Sequence, residues 1–241
     1  MKFRSHRGGV YYTPENTMPA FERAMTEGFV SLETDPCFTK DGVIVLMHDI
    51  TINRTCRMPD GSPIEKTVKV SDITYNELMK YDAGIANDIK FKGTKVPTLE
   101  ELLKLVEGSD VSISLDKRIP TDDMDPLLDL VAKYNTRVSF SCGDVERIKK
   151  VQSRFPDAMI DYDGQTLDEQ LAEITSLVKP ENLLVWLYLD TPNFAWLKDR
   201  AKTSPENCAR VKRYARLAIG NVNNAYDVKE ALGFDPDVIE V

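Results

Sequence analysis

Short apolar runs alternate with helix-length amphipathic stretches along most of this chain. Extended segments are predicted at Phe3–Ser5, Val30–Thr39, Val43–His48, Val111–Asp116, Arg137–Ser141, Ala158–Asp161, Leu183–Leu189, Tyr214–Val222 and Val238–Val241. Apolar residues recurring every three or four positions predict helices over Met18–Glu27, Thr98–Val106, Met124–Tyr134, Asp144–Arg154, Thr166–Leu177, Phe194–Lys202 and Ala225–Leu232. The punctuation agrees with this reading. Gly28 ends the first helix, Lys40-Asp41-Gly42 reads as a turn, and Thr98 with Glu101 forms a capping box. A further short helix, Ser71–Leu78, is expected to start on a serine cap.

Repeated strand–helix units imply parallel strands joined by right-handed crossovers. The fold expected is α/β, a TIM-type (β/α)8 barrel with a small inserted lobe after the third strand. Residues 1–241 are read as a single domain, with the insertion at about 49–95, too long for a plain loop. There is one more extended run than a barrel of eight holds. Ala158–Asp161 or Leu183–Leu189 is therefore expected to lie outside it. The structural alternative is an open doubly wound sheet, but no GxGxxG or Walker-type glycine loop supports its nucleotide-binding forms.

Composition narrows the class. An apolar share of 42% is enough for a substantial core. A net charge of −8 argues against a general nucleic-acid binder, though a local cationic patch can still hold an anion. No apolar run approaches bilayer length, so no stable membrane insertion is expected. Met1-Lys2-Phe3-Arg4 leads straight into the first strand and leaves no leader-like stretch. Cys37, Cys56, Cys142 and Cys208 lack CxxC spacing and read as reduced thiols, which with the previous point gives a cytoplasmic expectation.

Candidate chemistry gathers near the N-terminus. The chain has 2 histidines, and both follow apolar runs: His6 in Ser5-His6-Arg7-Gly8-Gly9, and His48 before Asp49. Between them lies Glu33-Thr34-Asp35, an i, i+2 pair that a strand directs to one side. Adjacent carboxylates repel unless a cation or proton relieves them, and Mg²⁺ or Ca²⁺ prefers such oxygen donors. Asp116, ending a strand, is the natural third ligand. Two imidazoles can divide the proton transfers of phosphodiester cleavage. Arg7 can grip phosphate oxygens or pair with Glu33 or Asp35.

The motifs His6-Arg7-Gly8-Gly9, Pro14-Glu15-Asn16-Thr17, Glu33-Thr34-Asp35, Thr39-Lys40-Asp41-Gly42, His48-Asp49, Asn53-Arg54-Thr55, Asp82-Ala83-Gly84 and Val96-Pro97-Thr98-Leu99-Glu100-Glu101 resemble those of the glycerophosphodiester phosphodiesterase family. The likeness is strong over roughly the first hundred residues and weaker afterwards. It implies His6 and His48 as catalytic residues and Glu33, Asp35 and Asp116 as ligands of one Mg²⁺ or Ca²⁺. It also implies Arg7, Asn223 and a cation from Lys117 or Arg118 as contacts for a small-molecule phosphodiester. The family's Glu-x-Lys appears here as Asp116-Lys117-Arg118. Its late Trp-Thr-Val-Asn appears as Gly220-Asn221-Val222-Asn223, which leaves Tyr11, Tyr12, Phe140 or Trp186 to wall the pocket. The expected activity is release of an alcohol and glycerol 3-phosphate. The alternatives are a sphingomyelinase D-type lyase giving a cyclic phosphate and a non-catalytic phosphometabolite-binding barrel.

Overall fold

The computed structural model describes residues 2–9, 12–189 and 202–241. Its strands are β1 (Lys2–Ser5), β2 (Ser31–Thr34), β3 (Pro36–Phe38), β4 (Ile44–Leu46), β5 (Ser112–Leu115), β6 (Val138–Cys142), β7 (Met159–Tyr162), β8 (Leu183–Tyr188), β9 (Arg216–Gly220) and β10 (Val238–Glu240). The α-helices are α1 (Met18–Thr26), α2 (Tyr75–Leu78), α3 (Leu99–Val106), α4 (Asp125–Val131), α5 (Val145–Arg154), α6 (Asp168–Leu177), α7 (Pro205–Lys212) and α8 (Ala225–Gly233). Eight strands form a closed barrel in the order β1-β10-β9-β8-β7-β6-β5-β2. The expected barrel is therefore present.

Both Ala158–Asp161 and Leu183–Leu189 supply barrel strands, β7 and β8. The supernumerary run is Val43–His48. Its core, β4, pairs antiparallel with β3 in a separate two-stranded sheet, Cys37 facing Val45. Two residues force this. Pro36 has no N–H for a ladder, so the long run Val30–Thr39 breaks between β2 and β3. The turn Thr39–Val43 then reverses the chain, with Gly42 at φ +79° and Gly42 N–H donating to Thr39 O at 3.0 Å. A strand that folds straight back is antiparallel and has no place in a parallel barrel.

Most helices keep their expected spans within a few residues. Thr98 and Glu101 cap each other as expected. In the insertion the cap is Thr74 rather than Ser71: Thr74 and Glu77 form the capping box of α2, and Val70–Asp72 is a separate 3-10 turn. Helix α7 is not among the expected helices, although Ser204 caps it and Pro205 opens it. The helix expected at Phe194–Lys202 lies outside the described residues but for its last.

The chain forms two compact units, Met1–Arg4 with Val138–Val241, and Ser5–Arg137. In the second, β2 pairs in parallel with β5, Leu32 beside Ile113 and Glu33 beside Ser114. Leu32, Ile113 and Leu115 are buried, as are Phe21 of α1 and Leu99, Leu102, Leu103 and Val106 of α3. The insertion has its own small core, in which Val45, Met47, Ile52, Cys56, Val70, Leu78, Ala83 and Val96 cluster. Asp82 braces it by accepting from the backbone N–H groups of Gly84, Ile85 and Gly93 at 2.6–2.9 Å.

In the other unit, β6 to β10 run parallel. Ile148, Val151, Leu171, Ile174 and Val211 of α5, α6 and α7 are buried. Arg4 and Asp161 are buried as a two-pronged ion pair, 2.9 and 3.1 Å, and Ser139 donates to the same carboxylate. Among the described residues no helix is long and apolar enough to cross a membrane.

Candidate active site

β1 ends at Ser5, and the chain turns at once through His6-Arg7-Gly8. Arg7 sits in the left-handed region at φ 51°, and Gly8 follows at +80°. A Cβ on Gly8 would stand 2.8 Å from Ala20 Cβ and 3.0 Å from Phe21 Cδ1, so glycine is needed for conformation and for close approach of α1. The turn aims the Arg7 backbone N–H at Glu33 Oε2, 2.8 Å away. His6 Nε2 lies 4.0 Å from the same oxygen.

Glu33 lies on β2 and Asp35 just beyond it, two residues apart and on one face. Register brings in the third acid. Thr34 faces Leu115, and Asp116 N–H donates to Thr34 O at 2.9 Å. Carboxylate oxygens of Glu33, Asp35 and Asp116 all lie within 4.8 Å of one another. Glu33 and Asp35 are buried, and Asp116 is half-buried. Such a cluster of hard oxygen donors fits a divalent cation.

Cations and an amide hold the acids in place. Arg7 Nε is 3.5 Å from Asp35 Oδ2, and Arg118 Nε is 3.8 Å from Asp35 Oδ1. Asn16, itself left-handed at φ 54°, donates from Nδ2 to Asp35 Oδ2 at 2.8 Å. Its carbonyl accepts from Thr34 Oγ1 at 2.7 Å. Of the two cations after Asp116, Arg118 stands beside Asp35. Lys117 is half-buried in the same turn.

His48 follows β4, so it rides on the hairpin rather than on a barrel strand as the sequence implied. Its Nδ1 is 2.7 Å from Asp49 Oδ1. Arg54 grips Asp49 through Nε at 2.6 Å and Nη2 at 3.0 Å. The same guanidinium grips Glu15 through Nη2 at 2.6 Å and Nη1 at 2.8 Å. Arg7 Nη1 completes the chain, 3.1 Å from Glu15 Oε1. Glu15, Asn16, Asp49 and Arg54 received no role from the sequence, although each falls inside a quoted motif.

Proton affinities follow these contacts. Burial, then the charges of Arg7 and His48, press His6 from 6.5 down to about 3. The Arg54 hydrogen bonds hold the Asp49 carboxyl well below the usual carboxylate range. Burial alone would raise the Glu15 carboxyl, but the hydrogen bonds and charges of Arg54 and Arg7 outweigh it and lower it.

Asn223 belongs to the other unit, in the segment between β9 and α8. Its backbone N–H donates to Asp227 Oδ2 at 3.1 Å, and its amide to Asn221 O at 3.4 Å. Of the aromatics considered as pocket walls, Phe140 is buried against Phe155, ring centres 5.7 Å apart. Tyr12 is exposed under the Arg23 guanidinium. Trp186 is buried beneath Arg4, and a Cβ on Gly220 would come within 3.0 Å of its ring. Tyr11 lies outside the described residues.

Fold and site together define an α/β-barrel protein with a candidate divalent-metal centre beside the His6 imidazole. Comparison with known proteins makes the assignment specific. The profile of the glycerophosphoryl diester phosphodiesterase family matches residues 6–161. A curated glycerophosphodiester phosphodiesterase from Caldanaerobacter subterraneus subsp. tengcongensis is 39% identical over 112 residues, 46% of this chain and 43% of that one. The chain thus spans less than half the length of that relative. Among solved structures, a glycerophosphoryl diester phosphodiesterase from Parabacteroides distasonis superposes with a TM-score of 0.75 at 24% identity, over 99% of this chain and 81% of that one. A phosphodiesterase from Oleispira antarctica, solved in complex with the product sn-glycerol-3-phosphate, gives 0.78 at 15% identity, over 100% and 92%. These structures bear on the fold. The chain belongs to the glycerophosphoryl diester phosphodiesterase family.

Proposed function

We propose that this protein is a metal-assisted phosphodiesterase that cleaves small glycerophosphodiesters to an alcohol and glycerol 3-phosphate. The observation that carries the reading is the convergence of Glu33, Asp35 and Asp116 oxygens within 4.8 Å, next to His6 and Arg7. The product held by the Oleispira antarctica relative supports the choice of substrate. On this reading residues 1–241 act as one barrel domain with the lobe at about 49–95, in the cytoplasm, on a small soluble diester.

Glu33, Asp35 and Asp116 would hold Mg²⁺ or Ca²⁺, which supplies Lewis-acid polarisation of a phosphate oxygen when bound. The chain's own groups do the rest. Arg7 offers its guanidinium to the phosphate and offsets charge gathering on phosphorus. Lys117 and Arg118 add cationic contacts for the phosphate. One imidazole of His6 and His48 accepts the proton of the attacking substrate hydroxyl and the other donates to the departing alcohol oxygen; water then opens the cyclic phosphate so formed to give glycerol 3-phosphate.

The test is turnover of a glycerophosphodiester panel in Mg²⁺, Ca²⁺ or chelator, followed by phosphorus NMR. The expected product is glycerol 3-phosphate, formed only with metal. A cyclic phosphate as end product would move the assignment to a lyase, and tight binding without turnover would move it to a sensor.

A further inference from the structure

We propose that Arg54 and Glu15 are positioning residues that clamp the His48 imidazole to the Arg7 side of the site. This rests on the phosphodiesterase reading for its catalytic consequence, not for its geometry. Arg54 uses one guanidinium to make two bidentate forks, one to Asp49 at 2.6 and 3.0 Å and one to Glu15 at 2.6 and 2.8 Å. Four of its five N–H bonds are thereby spent inside the protein, so it has little left to give a substrate. Glu15 in turn is shared between two guanidinium groups, Arg54 on one side and Arg7 on the other, at 3.1 Å.

Bidentate forks joined in a network are the exposed ion pairs that do steady a fold, but with the Arg54 side chain 49% exposed and Glu15 13% exposed, stability alone does not explain why the network ends on His48. Geometry does account for it. His48 stands on a hairpin outside the barrel sheet, and Arg54 belongs to the insertion that follows it. Among the described residues no ladder to a barrel strand runs through His48. The clamp fixes its ring instead, link by link: His48 to Asp49, Asp49 to Arg54, Arg54 to Glu15, Glu15 to Arg7, and Arg7 to Glu33 and Asp35.

The clamp also sets the tautomer. The ionised Asp49 carboxylate, pinned from behind by Arg54, accepts a hydrogen bond from Nδ1–H of His48, which leaves Nε2 unprotonated to face the ester. A lysine cannot replace Arg54, because a point charge does not form two planar forks.

The experiment uses the metal-loaded protein with Arg54→Lys, Arg54→Met and Glu15→Gln. Nitrogen-15 NMR of the imidazoles reads the tautomer directly. The 2 histidines are told apart with His6→Gln. The wild type should show a single His48 form protonated at Nδ1, with a low-field proton, and Arg54→Met a mixture of tautomers. On glycerophosphocholine, kcat should fall roughly 10- to 100-fold in Arg54→Met and less in Arg54→Lys, while KM changes less than about threefold. Folded variants that keep the single Nδ1–H form and kcat within twofold would overturn the proposal. Should Arg54→Met fail to fold, Glu15→Gln, which keeps the side-chain shape, is read by the same two criteria. A wild type without diester turnover counts against the phosphodiesterase reading alone, because the NMR arm still decides the clamp.

Discussion

Asn16 and Asp35, 19 residues apart in sequence, share a buried 2.8 Å hydrogen bond from amide nitrogen to carboxylate oxygen. Because Asn16 also accepts from Thr34, its amide is locked, and so is the Asp35 rotamer. Asn16→Ala should leave the acid free to swing. Calorimetric titration with Mg²⁺ or Ca²⁺ is expected to show affinity reduced about 10- to 100-fold. Unchanged affinity would mean that Asp35 is held adequately by Arg7 and Arg118.

His6 and His48 are each expected to be indispensable for turnover. Replacing either with alanine should lower kcat by roughly 10²- to 10⁴-fold, the usual range for a proton-transfer group. Steady-state kinetics on a glycerophosphodiester checks this, and near-normal kcat in either variant refutes the role.

Acid should weaken the native state through His6. Folded, this imidazole resists protonation down to about 3, whereas unfolded it titrates near 6.5. Between those values the unfolded chain binds the extra proton. The His6 contribution is complete above pH 6.5 and drains away as pH falls toward 3. Melting curves in chelator at pH 7.5, 6 and 5 should show a larger drop in Tm for wild type than for His6→Gln. Parallel drops would exclude this account.

Gly8→Ala combines two penalties, a left-handed backbone at φ +80° and a Cβ 2.8 Å from Ala20 Cβ. Together these should cost about 2–4 kcal/mol of folding stability. Chemical denaturation measures it directly. A loss below about 1 kcal/mol would show that α1 can shift to make room.

The thiols should be inert in the native protein. Burial first of all pushes Cys142 up to about 12 and Cys56 to about 11, so almost no thiolate exists at pH 8. Disulfide exchange with an aromatic reagent should be slow in buffer, and 4 groups should react at once in denaturant. Rapid labelling of Cys142 in buffer would contradict its burial.

Local signals carried the barrel. Its strands and most of its helices announce themselves through short apolar runs, caps and glycine stops, all of which act within a few residues. The error at Val43–His48 has the same root. An apolar run looks alike in a barrel and in a ribbon, and only the missing Pro36 N–H and the tight turn at Gly42 distinguish them. Helix α7 hid because just Cys208 and Val211 of its residues are buried, too few to mark a stripe. In the site, Glu33 and Asp35 were legible because an i, i+2 pair is a one-strand property. The contacts of Asn16 with Asp35 and of Glu15 with Arg54 depend on folding across 19 and 39 positions, and no periodicity encodes them.

The ribbon of β3 and β4 divides the labour of the molecule. The oxygen cage grows from strands whose register the barrel enforces, while the second imidazole travels with an appendage that has its own small core. Substitutions in the appendage can re-aim that ring and leave the cage as it is, so the two can drift at different rates. A laboratory library confined to the lobe would sample new alignments of the His48 ring against an unchanged framework.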